Sequence, residues 1–543
     1  MKKILALTLS ILLLCTCLFS CDESFFDDLL DENIDGSLEN EDTNPNVNES
    51  KKPSTQKESD KESETKFTST TGHPTLDFDD ETITILHRDS VSFQREWHKD
   101  VFEDELDEVI ALRNEAVSER LDIVVEYQSL ASSTYTDCFN NFTSAIKEDV
   151  DTGAHNYDIV ANHAYASASI AIRDYLTDLT DGRIFPYFFF ELPCWNQSIV
   201  NNTTLNSKLY YVTGDLNLST FDNATVVFLN KDMYDAKKTN LDPEDLQELA
   251  ISGAWDYEDL YRWTTVFEDN NGETGAQHDD FYAISAGLNS VSVDALSYAW
   301  ELDYVKTNYD GTHSYNIVGN QKIENAVTKA KNLLDGSISA GVNNANNTGA
   351  CSLGGYSEPI THFASNKSIF AIDKLYASDA DNDIIRAMDA EFRILPMPKY
   401  NEAQENYKTT AHDSYTLISV LNHSESSVPT KGDEISAYIQ YSYEESYTNI
   451  RGFYINKVIT PKYFGIDGNV QERERLLVNM ILDGIELDIV SVYAPQLNNV
   501  LARCWRDVVM GYGSPTTAKD AYEFEKTNFD TSLESLDYWF GIK

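Results

Sequence analysis

The sequence predicts an α/β protein of two lobes joined by a hinge, with a helical C-terminal part. Strand and helix signals alternate between residues 82 and 161, an alternation typical of parallel βαβ units. The pattern resumes after Gly214, so we expect a second α/β half. The residues after about 433 show mainly helical periodicity.

The first half contains three strand candidates separated by two helices. Residues 82–86, 123–127 and 157–161 are short apolar runs of the kind that form buried strands. A 3.6-residue stripe of apolar side chains predicts a helix over 103–121, and a second helix is expected over 136–148. The order strand, helix, strand, helix, strand therefore predicts a parallel sheet.

The second half repeats these signals at wider spacing. Strands are predicted at 225–229, 369–372, 392–395 and 415–419, and helices at 243–250, at 256–267 and along an apolar stripe over 323–334. In open α/β sheets, ligands bind outside the carboxyl ends of the strands. Two such lobes facing each other would form a cleft that a hinge can close.

The first 20 residues predict export followed by lipid attachment. Lys2 and Lys3 precede an apolar run too short to span a bilayer, and Ser20 precedes Cys21. A cysteine at this position can accept a diacylglyceryl group, so we expect a lipid anchor at Cys21 and a location on the extracytoplasmic face of a bacterial membrane. The alternative is an ordinary transmembrane anchor.

Residues 21–75 predict a disordered acidic tether behind that anchor. Positions 22–71 hold fifteen acidic residues and five lysines with little apolar periodicity, which is too little apolar surface to offset the entropy of ordering. The whole chain of 543 residues has a formal charge of −49. This charge repels phosphate backbones, so nucleic acid is excluded as a partner.

Cysteine spacing and known motifs give no sign of catalysis. Cys138, Cys194, Cys351 and Cys504 are far apart, without zinc spacing; they are either partners in disulfides of unknown pairing or isolated buried thiols. Phosphate-binding loops, zinc-protease motifs and nucleophile elbows are missing from the sequence. We therefore predict that the chain is not an enzyme.

One loop has partial calcium-binding spacing. Asp269, Asn271, Glu273 and Asp280 occupy positions 1, 3, 5 and 12 of an EF-hand-like loop, although Thr274 replaces the usual turn glycine. A structural Ca²⁺ is one reading and a polar turn is the other. No cofactor is expected to be required.

Two tryptophans are candidates for contact with a sugar ring. Trp195 follows an aromatic run at 187–190, and Trp300 precedes Glu301. Indole faces pack on the apolar faces of sugars, but a core position is the alternative for each.

Several segments in order resemble the carbohydrate-type solute-binding lipoproteins of bacterial ABC importers. These are 157–160 (YDIV), 208–215 (KLYYVTGD), 226–232 (VVFLNKD), 392–400 (FRILPMPKY) and 443–447 (YEESY). The similarity covers about 80–495, and Arg393 stands where that family usually has glycine. The resemblance implies a bilobed periplasmic-binding-protein-like fold of type II, with lobe 1 at 76–213 plus 355–415 and lobe 2 at 214–354 plus 416–543.

The resemblance also implies a monomeric, lipid-anchored receptor that captures a small solute and delivers it to the permease subunits of an importer. The solute is expected to be a sugar or oligosaccharide. The expected contacts lie at strand ends and hinge crossings, where each could instead cap a helix or fix a turn: His87, Arg88, Asp89, Asn162, His163, Trp195, Asp215, Trp300, Asp373, Tyr376, Asp413 and Tyr415. A surface hydrolase that degrades glycans and an adhesin lipoprotein are the alternative functions.

Overall fold

Two β-sheets and the helices packed on them form two lobes. The computed structural model describes residues 75–89, 95–97, 104–171, 174–268, 280–287, 289–334, 350–353, 358–378, 383–386, 388–422, 431–458 and 468–543. The strands are β1 Glu81–Arg88, β2 Ile123–Leu130, β3 Ile159–His163, β4 Thr225–Asn230, β5 Phe267–Glu268, β6 Phe281–Gly287, β7 Val305–Thr307, β8 His313–Tyr315, β9 Ala350–Leu353, β10 Ser368–Lys374, β11 Phe392–Leu395 and β12 Thr416–Val420.

Helices cover the sheets and fill the C-terminal part. They are α1 Glu105–Leu121, α2 Tyr135–Thr152, α3 Ala164–Ala171, α4 Gln197–Thr203, α5 Leu218–Asp222, α6 Lys231–Lys237, α7 Leu246–Ile251, α8 Tyr257–Tyr261, α9 Ala295–Ala299, α10 Gln321–Leu334, α11 Glu358–Ala364, α12 Asp383–Arg386, α13 Gly432–Glu445, α14 Arg451–Val458, α15 Gly468–Asp483, α16 Ile489–Val492, α17 Asp507–Met510 and α18 Ala518–Trp539. Short 3₁₀ turns at Arg262–Thr265 and Leu375–Ser378 and π-helical turns at Ser290–Asp294, Ser446–Ile450 and Ala502–Arg506 complete the elements.

The first lobe contains a four-stranded sheet in the order β12-β3-β1-β2. β1 pairs in parallel with β2 and β3, and β12 is antiparallel to β3. The central strand β1 has a continuous buried run from Ile83 to Arg88, as expected for a strand covered on both faces. Helix α2 starts with a capping box between Thr134 and Asp137, which fixes where the chain leaves β2.

The second lobe contains a larger sheet in the order β11-β4-β10-β6-β5, with β9 also pairing with β6. Strands β10 and β6 are parallel, whereas β4 and β11 run antiparallel to their partners. Glu474 of α15 is fully buried behind β11, accepts a hydrogen bond from Gln247 Nε2 (2.6 Å) and lies 3.9 Å from Arg393 Nε. Arg393 also donates from Nη2 to Glu391 Oε2 at 2.7 Å, so the charged residue at position 393 has two carboxyl neighbours.

Two crossovers run side by side between the lobes. Isolated bridges pair Val212 with Ile418 and Ala224 with Ala411, so residues 213–224 and 411–415 connect the sheets in opposite directions. The later helix α13 packs on α1 in the first lobe, whereas α15 packs on α7 and β11 in the second. The predicted class, two α/β lobes with a helical C-terminal part, is confirmed.

The predicted exchange of segments between the lobes is wrong for the later strands. β10 and β11, within the 355–415 segment expected in lobe 1, pair with β4 in the second sheet. β12, expected in lobe 2, pairs with β3 in the first sheet. A short buried run shows that a strand exists but does not show which sheet it joins, because pairing depends on distant partners.

The predictions for the N-terminal segment concern residues that lie outside the described ranges. The signal segment 1–20, Cys21 and nearly all of the tether 21–75 fall there. In the part of the chain that the structure does cover, no helix has both the length and the apolar character of a membrane-spanning segment. Cys138, Cys194 and Cys504 are buried free thiols, so the isolated-thiol alternative holds for these three.

Candidate functional site

The candidate site lies where the carboxyl ends of strands from both sheets meet beside the crossovers. In the first lobe these are the ends of β1, β2 and β3; in the second they are the ends of β6 and β10. His412 Nε2 on the second crossover lies 3.0 Å from the hydroxyl of Ser290, directly after β6. Tyr165, just after β3, donates its hydroxyl to Asn499 Oδ1 at 2.9 Å. The segment after β3 and the segment after β6 therefore both contact the second crossover.

An aromatic cluster of Tyr135, Phe139, His163 and Tyr165 forms the first-lobe wall of this region. The ring centroid of Tyr135 lies 5.1 Å from that of Tyr165, 5.9 Å from that of His163 and 6.2 Å from that of Phe139. Tyr135 meets His163 and Tyr165 edge to face and stacks on Phe139, and such ring pairs hold the rings in a fixed arrangement. Tyr135 as a residue nevertheless remains 39% exposed. An exposed ring on an ordered aromatic base can pack against a ligand.

Burial shifts the pKa values of the ionisable side chains in the aromatic cluster. Burial lowers the pKa of His163 to about 3, against the raising effect of Asp413, so the imidazole is neutral at physiological pH. Its Nδ1 atom is buried and has no hydrogen-bond partner in the described part of the chain. Burial, with a contribution from Asp413, also raises the pKa of Tyr135 and of Tyr165. The cluster is therefore uncharged.

Asp413 is the exposed carboxylate next to the aromatic cluster. Its side chain is 46% exposed, and its Oδ1 lies 3.5 Å from His412 Nδ1. The Tyr165 amide donates to the Asp413 carbonyl oxygen at 3.4 Å, which places residue 413 at the start of α3. Of the predicted contacts, His163 and Asp413 therefore lie together in the site.

Three residues predicted to contact the ligand, at the end of β1 and in β3, instead form hydrogen bonds within the protein. His87 is buried, with Nδ1 2.9 Å from the Arg88 carbonyl. Asp89 accepts from the amide of Ser132 (3.0 Å) and from its hydroxyl (2.7 Å). Asn162 is fully buried and donates to the Cys138 carbonyl at 3.2 Å. Asp89 and Asn162 thereby position the loop and first turn that carry Tyr135.

Arg88, also predicted as a contact, belongs to a buried network at the crossovers. Its guanidinium donates to the Ser414 carbonyl (2.8 Å) and to Thr416 Oγ1 (2.7 Å). Glu96 is fully buried and accepts from the Ser219 amide at 2.7 Å, and the Thr416 amide donates to Ser219 Oγ at 3.0 Å. Burial lowers the pKa of Arg88 to about 10 and raises that of Glu96. Both crossovers are thus tied to the first lobe.

The two predicted stacking tryptophans are core residues, so that prediction is wrong for this structure. Trp195 is 2% exposed and packs on Tyr443 with ring centroids 4.1 Å apart. Trp300 is fully buried among aromatic rings that include Trp505 at 6.2 Å. Neither indole face is open to a ligand. Trp195 fills volume beside crossover residue Gly214, and Trp300 fills volume between aromatic side chains of the second lobe and the C-terminal part.

The remaining predicted contacts are distributed over the crossovers and the end of β10. Asp215 is buried 3.4 Å from Arg451 Nη1, and burial raises its pKa to about 7. Asp373 accepts from the Lys374 amide at 2.7 Å, and burial raises its pKa to about 6. Tyr376 is half-buried in the turn after β10, whereas Tyr415 is buried. Asp215 is committed to its ion pair, so we retain only Asp373 and Tyr376 as second-lobe candidates.

The calcium prediction stays a prediction. Asp269, Asn271 and Glu273 lie outside the described residues, and Asp280 is fully buried with its carbonyl oxygen 3.1 Å from His362 Nε2. Among the described side chains, no group of three or more His, Cys, Asp or Glu residues is arranged to hold a metal ion.

Sequence reasoning missed Tyr135, Phe139 and Tyr165. The available signal was position: Tyr135 begins the helix after β2 and Tyr165 lies in the first turn after β3. The rule that ligands bind at carboxyl ends of strands applies to these first helical residues as well as to strand termini.

Together, the fold and site define a two-lobed α/β protein with a candidate ligand site between the lobes. Comparison with known proteins finds similar solved structures at low identity. A cyclic α-maltosyl-1,6-maltose binding protein from Arthrobacter globiformis is 12% identical, covering 84% of this chain and 100% of its own, with a TM-score of 0.49. An ABC substrate-binding protein from Listeria monocytogenes in complex with cycloalternan is 13% identical (86% and 100% covered; TM-score 0.46).

A maltose/maltodextrin-binding domain from Bdellovibrio bacteriovorus bound to maltotriose is 14% identical, covering 84% of this chain and 99% of its own, with a TM-score of 0.44. With TM-scores below 0.5, these similarities carry no conclusion about the ligand of this chain. No protein-family model matches the sequence, and no curated protein matches it significantly.

Proposed function

We propose that this protein is a receptor that captures a sugar or oligosaccharide in the cleft and releases it chemically unchanged. The observation that carries the proposal is the aromatic cluster with its exposed Tyr135 ring, placed at strand ends between two lobes. Aromatic faces pack on the apolar faces of sugar rings, while neighbouring carboxylates and hydroxyls bind sugar hydroxyls. Asp413 supplies such a carboxylate, and the Ser290 hydroxyl lies on the second-lobe side of the same crossover.

The two crossovers support capture by closure of the lobes. Both are short, lie side by side and are fixed to the first lobe through Arg88 and Glu96. A motion that brings the second lobe toward the aromatic cluster would enclose a bound ring. The N-terminal sequence, with Cys21 after an apolar run, supports a lipid-anchored receptor outside the cell that hands its solute to an ABC importer.

The test is ligand binding with product analysis. The full mature protein is screened by thermal shift against maltotriose and other mono- and oligosaccharides, because a ligand that binds the folded state raises the unfolding temperature. Tyr135→Ala should weaken binding of any ligand found by roughly fivefold or more, since the lost ring contact is worth about 1–3 kcal/mol.

Tyr309→Ala is the matched control, because Tyr309 is a fully exposed tyrosine at the tip of the β7–β8 hairpin. We expect the control to bind like the wild type. Turnover of the sugar by purified protein would contradict the receptor proposal and favour a hydrolase. Equal ligand affinity in Tyr135→Ala and Tyr309→Ala would show that the aromatic cluster does not contact the ligand.

A further inference from the structure

We propose that the solute carries a positively charged amine, bound between the rings of Tyr135 and Tyr165 and the carboxylate of Asp413. The inference rests on the proposed function and names the class of solute. An aromatic face attracts a cation through its quadrupole, and a neighbouring carboxylate adds direct charge attraction. An amino sugar combines such a cation with a ring that packs on tyrosine.

The protein's own cations near this place are committed to other groups. Arg503 forms an ion pair with Glu525, and Arg506 donates through Nε to Asp294 Oδ1 at 2.9 Å. The buried Arg88 guanidinium is held by the Ser414 carbonyl and by Thr416. These arginines therefore do not neutralise the Asp413 carboxylate in this conformation.

Asp413 has no lysine or arginine partner within the described ranges. His412 Nδ1 lies 3.5 Å from Asp413 Oδ1, and that same nitrogen lies closer, at 3.1 Å, to the Ser414 hydroxyl. The other nitrogen of His412 lies 3.0 Å from the Ser290 hydroxyl. Both imidazole nitrogens thus have hydroxyl partners, and nearly half of the Asp413 side chain remains open to solvent.

The imidazole of the aromatic cluster does not oppose a bound cation. His163 is half-buried, and desolvation lowers its pKa, so the ring is neutral and does not compete with an ammonium group. The chain as a whole has a formal charge of −49, which raises the local concentration of cations around it. A neutral sugar could use Asp413 only as a hydrogen-bond acceptor, whereas an ammonium gains from both the charge and the rings.

The test compares three trisaccharides by isothermal titration calorimetry on the mature protein at neutral pH and low salt. They are the trimer of glucosamine, its fully N-acetylated neutral counterpart and maltotriose. We expect the amine trimer to bind about tenfold more tightly than the acetylated trimer, because a partly exposed ion pair and a cation–π contact together supply about 1.4 kcal/mol. The preference should shrink as salt is added.

Asp413→Asn should reduce the preference to about twofold or less while leaving binding of any neutral sugar unchanged. Glu119→Gln, on the exposed face of α1, removes one negative charge elsewhere and should keep the preference. Circular dichroism of both variants checks that they fold like the wild type.

If the acetylated trimer or maltotriose binds as tightly as the amine trimer, the inference is overturned and the proposed receptor function stands. If none of the three trisaccharides binds, the inference and the proposal of an oligosaccharide receptor both fail. A preference for the amine that survives Asp413→Asn would also overturn the role of this carboxylate.

Discussion

Replacement of Glu96 tests whether the crossovers depend on one buried carboxylate. In Glu96→Ala the Ser219 amide loses its acceptor inside the protein, where no solvent reaches residue 96. A hydrogen bond to a charged group contributes about 1.5–3 kcal/mol, and a buried donor left without a partner costs about 1–3 kcal/mol more. We therefore expect Glu96→Ala to lower the free energy of unfolding by about 3–5 kcal/mol.

Glu96→Gln is the matched variant, because its amide oxygen can still accept from Ser219. Burial raises the pKa of Glu96, which means that the site already disfavours the charged form. The neutral glutamine should therefore cost only about 1 kcal/mol. The measurement is urea unfolding of the three proteins, monitored by tryptophan fluorescence and far-UV circular dichroism.

The difference between the two variants decides the outcome. A loss below about 1 kcal/mol for Glu96→Ala would refute the reasoning, because a solvent-accessible or redundant acceptor would then serve Ser219. Equal losses for alanine and glutamine would show that the charge near Arg88, rather than the hydrogen bond, stabilises the crossovers.

Two further predictions concern a close backbone contact and a buried carboxyl. Gly214→Ala should destabilise the protein by about 2–3 kcal/mol in thermal unfolding, because the new Cβ would lie 2.3 Å from the Cys194 carbonyl oxygen. Gly182→Ala is the control: the space around Gly182 is open, so this variant should change stability by less than about 0.5 kcal/mol. Burial raises the pKa of Glu474 from 4.5 to about 8, so in the wild type the free energy of unfolding should fall as pH rises between these values. The total fall over this pH range is up to about 5 kcal/mol, and Glu474→Gln should abolish most of it when the free energy of unfolding is measured by urea at several pH values. Parallel plots of the free energy of unfolding against pH for the two proteins would contradict the assignment.

Local sequence patterns predicted the elements of the first lobe well. The apolar stripe over 103–121 corresponds to α1, and the runs at 82–86 and 123–127 correspond to β1 and β2. These elements depend on neighbouring residues, on caps such as Thr134 and on side-chain periodicity, all of which a single sequence contains.

Sheet membership and ligand contacts were less predictable. The run at 369–372 is a strand, but its place beside β4 depends on pairing across more than a hundred residues. Trp195 and Trp300 have the composition of stacking residues, yet both fill the core, where large aromatic side chains bury the most apolar area. Arg88 ends β1 and Asp89 follows it, close to the expected strand end, but their partners come from distant segments that sequence order does not reveal.

The three buried free thiols give this protein built-in reporters of local opening. Burial raises the pKa of Cys138 to about 11, and it also raises those of Cys194 and Cys504, so each is hidden and protonated in the native state. The thiolate is the nucleophile that attacks an alkylating reagent, so modification must wait for a fluctuation that uncovers and deprotonates the sulfur. Cys138 contacts the loop before Tyr135, Cys194 lies beside Gly214, and Cys504 lies in the C-terminal helices. Their separate labelling rates would therefore measure how often each of these three regions opens locally, without any introduced probe.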